Sequence, residues 1–156
     1  MVTRAILYER GKCVNILFMC VANSARSQLA EGLARKMFGN AVTIESAGSE
    51  PGKLNPFAVK AMEEIGVDIS KHYSKSTDDL SPRFILALDY VITLCEQEVC
   101  PVMVSRAKKL HWPLPDPASK EGTNEEKLER FRKTREALII QLRAFAKETG
   151  LKASEG

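Results

Sequence analysis

Charge never gathers into blocks along this chain. Its 23 basic and 20 acidic residues leave a formal net charge of +3 and are spread throughout, which argues against nucleic-acid or membrane-surface binding. Nothing at the start reads as a leader: Met1 to Lys12 carries Arg4, Glu9, Arg10 and Lys12 beside a brief apolar run, neither a signal peptide nor a membrane span. A cytoplasmic protein is therefore expected. Repeats, low-complexity tracts and internal linkers are lacking too. With 156 residues, 44% hydrophobic and 28% charged, one domain is expected over 1–156: an N-terminal extension 1–12, a catalytic domain 13–149 and a C-terminal tail 150–156, with looseness confined to the two ends. Histidine is scarce, and neither His72 nor His111 has an acidic partner at a suggestive spacing, so both default to structural roles. Cysteine occurs four times, at 13, 20, 95 and 100; in a cytoplasmic chain this favours reactive, metal-binding or buried thiols over a permanent disulfide framework.

What is present alternates between strand and helix patterns. Val14 to Met19 is an apolar run of strand length, and from Ser27 onward Leu29, Leu33 and Met37 recur at helical spacing. Val42 to Glu45 reads as a strand, SAGSEPG as a loop, and Asn55-Pro56 as the cap and first turn of a helix stopping near Gly66. Tyr90 to Leu94 and Leu110 to Trp112 are further strands, and Pro113, Pro115 and Pro117 exclude helix after them. Glu125 to Lys147 reads as one long helix with a stripe of Leu128, Phe131, Ala137, Leu138, Leu142 and Phe145. The expected fold is α/β: three layers, a four-stranded parallel sheet with helices on both faces, and a ligand site beyond the carboxyl ends of the strands.

The segment Cys20-Val21-Ala22-Asn23-Ser24-Ala25-Arg26-Ser27 lies where a buried strand ends and a helix begins. Consecutive backbone N–H groups feeding a helix N-terminus converge on one spot and favour negative charge there, which suits both a thiolate and a tetrahedral oxyanion. Ala22, Ser24 and Ala25 are small enough for the backbone to approach a guest. Arg26 offers a planar fork of donors to two oxyanion oxygens, Asn23 tolerates left-handed backbone angles, and Ser27 can donate its hydroxyl to the sulfur. Cys-x5-Arg alone is a weak pattern; its placement at a strand-to-helix junction makes Cys20 a candidate nucleophile. Two zinc half-sites, Cys13 with Cys20 and Cys95 with Cys100, are the competing reading. They fail on length, since seven extended residues place Cys13 and Cys20 roughly 23 Å apart, and no metal is expected.

CVANSARSQLAEGLAR after a strand resembles the low-molecular-weight protein tyrosine phosphatases and the arsenate reductases of the same fold. The likeness continues through SAGSEPG, NPFAVKAMEEIGVDISKH, DYVITLC and HWPLPDPA to the last helix. It implies that Asp116, in PDPA, is a carboxylic acid that protonates the group leaving the substrate. It also implies a choice. A phosphatase resolves its cysteinyl intermediate with water, whereas reducing arsenate takes two electrons from thiols. Cys95 and Cys100, in CEQEVC, resemble the redox segment of the reductases, and Ala118 and Ser119 stand where the phosphatases tend to carry aromatic residues. The resemblance thus implies an arsenate reductase with a Cys20, Cys95 and Cys100 relay, arsenate as substrate, no cofactor, and an external thiol reductant: thioredoxin, or glutathione with glutaredoxin. A monomer is expected. The alternatives are a phosphatase with Cys95 and Cys100 incidental, or a thiol-redox sensor or anion-binding module.

Two details depart from the pattern. The reductases often have six residues between the cysteines of the redox segment, and here there are four. In an intact helix five residues rise about 7.5 Å, beyond the roughly 6.8 Å that a disulfide tolerates between Cα atoms, so residues 95 to 100 are expected to unwind on oxidation and act as a mobile switch. Some relatives bind potassium through residues matching Asn23, Glu31 and Ser46 plus an aspartate; here Lys75 occupies the aspartate position, and its ammonium is expected to take the cation's place.

Overall fold

In the computed structural model of the chain, residues 13–96 and 105–154 are described; the expectations about the 1–12 extension, Cys100 and most of the 95–100 segment lie outside them. The first strand, β1 (Val14–Cys20), is buried at every position except Asn15. It can be apolar on both faces because it is a central parallel strand covered on either side. Helix α1 (Arg26–Phe38) follows after a short loop, then β2 (Val42–Gly48). Helix α2 (Pro56–Glu63) starts as its sequence dictates: Pro56 occupies the first turn and the Asn55 side chain accepts from the Phe57 N–H at 2.8 Å.

A short helix, α3 (Pro82–Leu86), capped by the Ser81 hydroxyl, escapes a reading by periodicity because its five residues span barely one turn. Strands β3 (Tyr90–Thr93) and β4 (Lys108–His111) come next. The last strand begins two residues earlier than the apolar pattern suggested. It is an edge strand with Lys108, Lys109 and His111 exposed, so hydrophobicity does not mark it. Helix α4 (Asn124–Thr149) opens with a capping box between Thr123 and Glu126 and closes at Gly150, whose φ of 80° is the left-handed conformation that ends helices.

The sheet order is β2-β1-β3-β4, all parallel. The chain runs outward from β1 in both directions, so the topological switch point, where open α/β sheets bind ligands, falls at the carboxyl end of β1, at Cys20. Alternation along β1 sends Ile16 and Phe18 to one face and Leu17 and Met19 to the other. The first face receives α1, α2 and α4 in the larger core, where Phe145 of α4 makes edge contacts with Tyr90 at 4.9 Å and Trp112 at 5.8 Å. Each such fully buried side chain contributes about 2 kcal/mol. The second face is covered more thinly, by Leu80, Leu88 and Ala107 with Phe84 and Ile85 of α3.

The C-terminal stretch differs from the expected loose tail. Leu151 is buried, the Ser154 N–H donates to the Met37 carbonyl at 2.8 Å, and its hydroxyl donates to Lys36 O at 3.3 Å. The fold thus extends past residue 149, because Leu151 completes the apolar floor where α4 meets α1. Among the described residues, no helix is long and apolar enough to cross a membrane.

Candidate active site

Cys20 is the last residue of β1 and is buried, with its Sγ 2.9 Å from Ser27 Oγ in the first turn of α1. The neighbouring contacts orient that hydroxyl. Ser27 Oγ accepts from Asn23 Nδ2 at 2.7 Å, which leaves its own hydrogen for the sulfur. Asn23 Nδ2 also donates to Ser46 Oγ at 3.0 Å, and the Ser46 hydroxyl donates onward to Glu31 Oε1 at 2.5 Å. The flip of the Asn23 amide is set from its other end, where Oδ1 accepts from the Lys75 main-chain N–H at 2.9 Å and from Gln28 Nε2 at 3.1 Å. A continuous bonded chain therefore joins Cys20, Ser27, Asn23, Ser46 and Glu31.

Asn23 has φ 51°, the one positive value outside glycine among the described residues. This turns the loop tightly enough to curl around a small guest. The loop carbonyls are held on the outside: Val21 O accepts from Glu50 N–H, Ala22 O from Gly52 N–H and Ser24 O from Asn55 N–H, at 2.9 to 3.0 Å. Asn23 O accepts from the Ser74 hydroxyl at 2.7 Å and from Gln28 Nε2 at 3.1 Å. With successive carbonyls turned outward, the intervening N–H groups turn toward the loop's interior, the arrangement of an anion nest. The first helical bond of α1 runs from Leu29 N–H to Ala25 O and no side chain caps the helix, so the first-turn donors face the same space. Gly48 permits this approach: a Cβ there would collide with the Val21 carbonyl and stand 2.9 Å from Asn23 N.

Arg26 is buried and its Nη1 donates to the carbonyls of Leu114 at 2.9 Å and Leu94 at 3.4 Å. Its guanidinium thus spans the outlets of β3 and β4, tying the Cys20 loop to the segment that leads into Asp116. Asp116 is half-buried in a turn of its own. Its Oδ1 accepts from the Ala118 N–H at 3.0 Å, and its main-chain carbonyl accepts from the Ser119 N–H at 3.2 Å and hydroxyl at 2.9 Å.

Cys95 is buried and disulfide-bonded, and the bond involves neither Cys13 nor Cys20, both of which are free thiols. The Leu94 N–H donates to Met19 O at 3.0 Å, so Cys20 and Cys95 each lie one residue past a main-chain bond between adjacent parallel chains. Cys13 sits at the opposite end of β1, exposed, with its sulfur 3.1 Å from Thr43 Oγ1.

Lys75 stands beside Glu31. Its Nζ is 3.9 Å from Glu31 Oε1 and 3.6 Å from Glu45 Oε1, and its side chain is 10% exposed. Arg35 supplies a second cation to Glu31, at 2.8 Å. With an ammonium already at the carboxylate, Asn23, Glu31 and Ser46 do not fit a potassium ion in addition. His72, which Gln28 Oε1 meets at 3.0 Å, is pushed below the ordinary histidine value chiefly by burial, assisted by Arg35 and Lys75 and opposed by Glu31 and Asp68.

The residues that a linear reading overlooks are Gln28 and Ser74. Both look like surface polar side chains in sequence. Full burial of Gln28, which forces each of its amide atoms to find a partner, is what gives it a role.

Comparison with known proteins agrees with this geometry. The family model described as low molecular weight phosphotyrosine protein phosphatase matches residues 15–154. An arsenate reductase of Halalkalibacterium halodurans is 43% identical over 137 residues, which cover 86% of this chain and 96% of that relative. Among solved structures, an arsenate reductase in the phosphate binding state superposes with a TM-score of 0.70 at 28% identity, covering 87% of this chain and 98% of that one. A thioredoxin-dependent arsenate reductase of Corynebacterium glutamicum gives 0.59 at 30% identity, covering 90% and 67% respectively.

Proposed function

Since the chain belongs to the low molecular weight phosphotyrosine protein phosphatase family, we propose that it is an arsenate reductase whose electrons pass through Cys20, Cys95 and Cys100. The loop amides and Arg26 receive the oxygens of arsenate. The Cys20 thiolate attacks arsenic, an As–S bond forms, and one As–O bond breaks as Asp116 protonates the departing oxygen, which leaves as water. Cys95, as thiolate, then attacks the Cys20 sulfur. The S–S bond forms while the S–As electron pair stays on arsenic, taking it from As(V) to As(III), and arsenite leaves. Cys100 displaces Cys20 from Cys95, so Cys20 returns as a thiolate and a Cys95–Cys100 disulfide remains for an external dithiol to reduce.

The observation that carries this reading is the position of Cys95, on the chain hydrogen-bonded to the residue before Cys20. A phosphatase has no use for a thiol there. We assign thioredoxin as the reductant, because an intramolecular disulfide is the natural substrate of a dithiol, and the cytoplasm as its place, where thiols are kept reduced.

The test is arsenite production with thioredoxin and glutaredoxin systems in parallel. Cys95→Ser and Cys100→Ser should each abolish multiple turnover. Survival of arsenite production in Cys95→Ser, or exclusive use of the glutaredoxin system, would refute the relay or the partner respectively. The same Cys20 loop and Asp116 would cleave an aryl phosphate with water in place of Cys95, so slow phosphatase activity that persists in Cys95→Ser is also expected.

A further inference from the structure

Asp116 belongs to a stretch between β4 and α4 with no strand or helix of its own. Upstream, this stretch is fastened by Leu114, whose N–H donates to Leu94 O at 3.1 Å and whose carbonyl accepts from Arg26. Downstream it is fastened by a residue with no part in the reaction. Arg130, in the second turn of α4, donates from Nε to Pro117 O at 3.3 Å and from Nη2 to Lys120 O at 2.6 Å and Glu121 O at 3.3 Å. Among the described residues, every hydrogen bond of its guanidinium ends on a main-chain carbonyl of this stretch.

Little else holds the turn from beneath. A cavity of about 220 Å³ lies between it and α4, lined by Leu114, Asp116, Lys120, Arg130, Thr134 and Ala137. A turn in which Pro117 is the one buried residue from 115 to 121 keeps its position largely through hydrogen bonds, and a planar fork with several fixed donors can hold carbonyls within and after the turn at once. An ammonium, a point charge on a flexible stem, cannot do so with fixed geometry.

We propose that Arg130 is a positioning residue for Asp116: its guanidinium locks the 117–121 backbone to α4 and so fixes the carboxyl that protonates the departing oxygen. The inference rests on the acid role assigned to Asp116 above. A carboxyl displaced by about an ångström transfers its proton far less often, while substrate binding by the Cys20 loop is untouched.

Two variants test it. Arg130→Met keeps the apolar stem without donors, and Arg130→Lys keeps the charge without the fork. In arsenite formation, Arg130→Met should lower kcat about tenfold with KM within about twofold, and Arg130→Lys should fall between it and the native protein. Combined with Asp116→Asn, Arg130→Met should bring no further loss, which a general weakening of the fold would not imitate. Amide exchange at residues 118–121 should quicken in Arg130→Met while α4 stays protected. Multiplying effects in the double variant, or unchanged exchange, would overturn the proposal. If the native protein forms no arsenite, the reductase reading falls, and the exchange measurement decides the clamp alone.

Discussion

The loop that holds Cys20 and the turn that holds Asp116 share one end of the sheet but are secured by different means. Around Cys20, buried side chains bond to one another: Ser27, Asn23, Ser46 and Glu31 form a continuous chain in which each donor hydrogen has one acceptor to go to. Around Asp116, exposed groups bond locally, and downstream of it a single long side chain from α4 supplies the tertiary link. A buried network gives a rigid nest that need not reorganise as charge develops. A tethered turn at the surface depends on its tether for position, and keeps near water a group proposed to give up a proton and regain it from solvent.

The largest expected effect is that of Cys20→Ser, which should reduce arsenite formation to background because no thiol remains in the anion loop to bond arsenic. Asp116→Asn should lower kcat about a hundredfold with little change in KM. The contrast between the two regions is sharpest in the next pair. Asn23→Ala puts a residue without amide groups at φ 51°, takes one donor from each of two buried hydroxyls and removes the acceptor of the Lys75 main-chain N–H, so it should cost about 2 kcal/mol of unfolding free energy and about a hundredfold in kcat. Ser119→Ala removes an exposed hydroxyl bond and should change either quantity less than about twofold. Equal effects at the two positions would erase the distinction.

Lys75→Ala should leave Glu31 short of a cation and reduce activity a few-fold, with potassium chloride restoring it more than sodium chloride does. Indifference to both changes would remove the ammonium from the account of the loop. The smallest effect concerns a site remote from both regions. Glu64, after α2, meets Arg132 at 2.7 Å and Arg135 at 2.8 Å on α4, and their hydrogen bonds hold its carboxyl down to about 2, from an ordinary 4.5. A carboxyl lowered in the folded state adds stability above pH 4.5 that is lost as pH falls toward 2. Acid unfolding of Glu64→Gln should therefore be shallower across that interval, with arsenite formation unchanged at neutral pH.

Some of this molecule can be read directly from short stretches of chain. VNILFM announces a buried strand because no polar side chain interrupts it, and Asn55-Pro56 announces a helix start because cap and ring act within one turn. Asn23 could be picked out for the same local reason, a residue type that accepts positive φ where a tight loop needs it. The lysine start of the edge strand β4 and the short α3 offered no such signal. Ser46, Glu31 and Lys75 could be connected with the loop through family likeness alone, since 15 to 44 residues separate them along the chain.

Local chemistry thus suffices to pick out Cys20 as the candidate nucleophile, to seat it between strand and helix, and to give the alternation that makes a parallel sheet. Those features depend on neighbours a few residues apart, whose preferences any stretch of chain expresses. The placement of Cys95 on the chain bonded next to that of Cys20, the burial that turns Gln28 into a strut, and the reach of Arg130 to the turn of Asp116 exist once the strands are in register and α4 is docked. A hydrogen bond between distant groups has no trace in sequence; its direction and its strength both come from where the fold leaves the two partners and how much water it removes from between them.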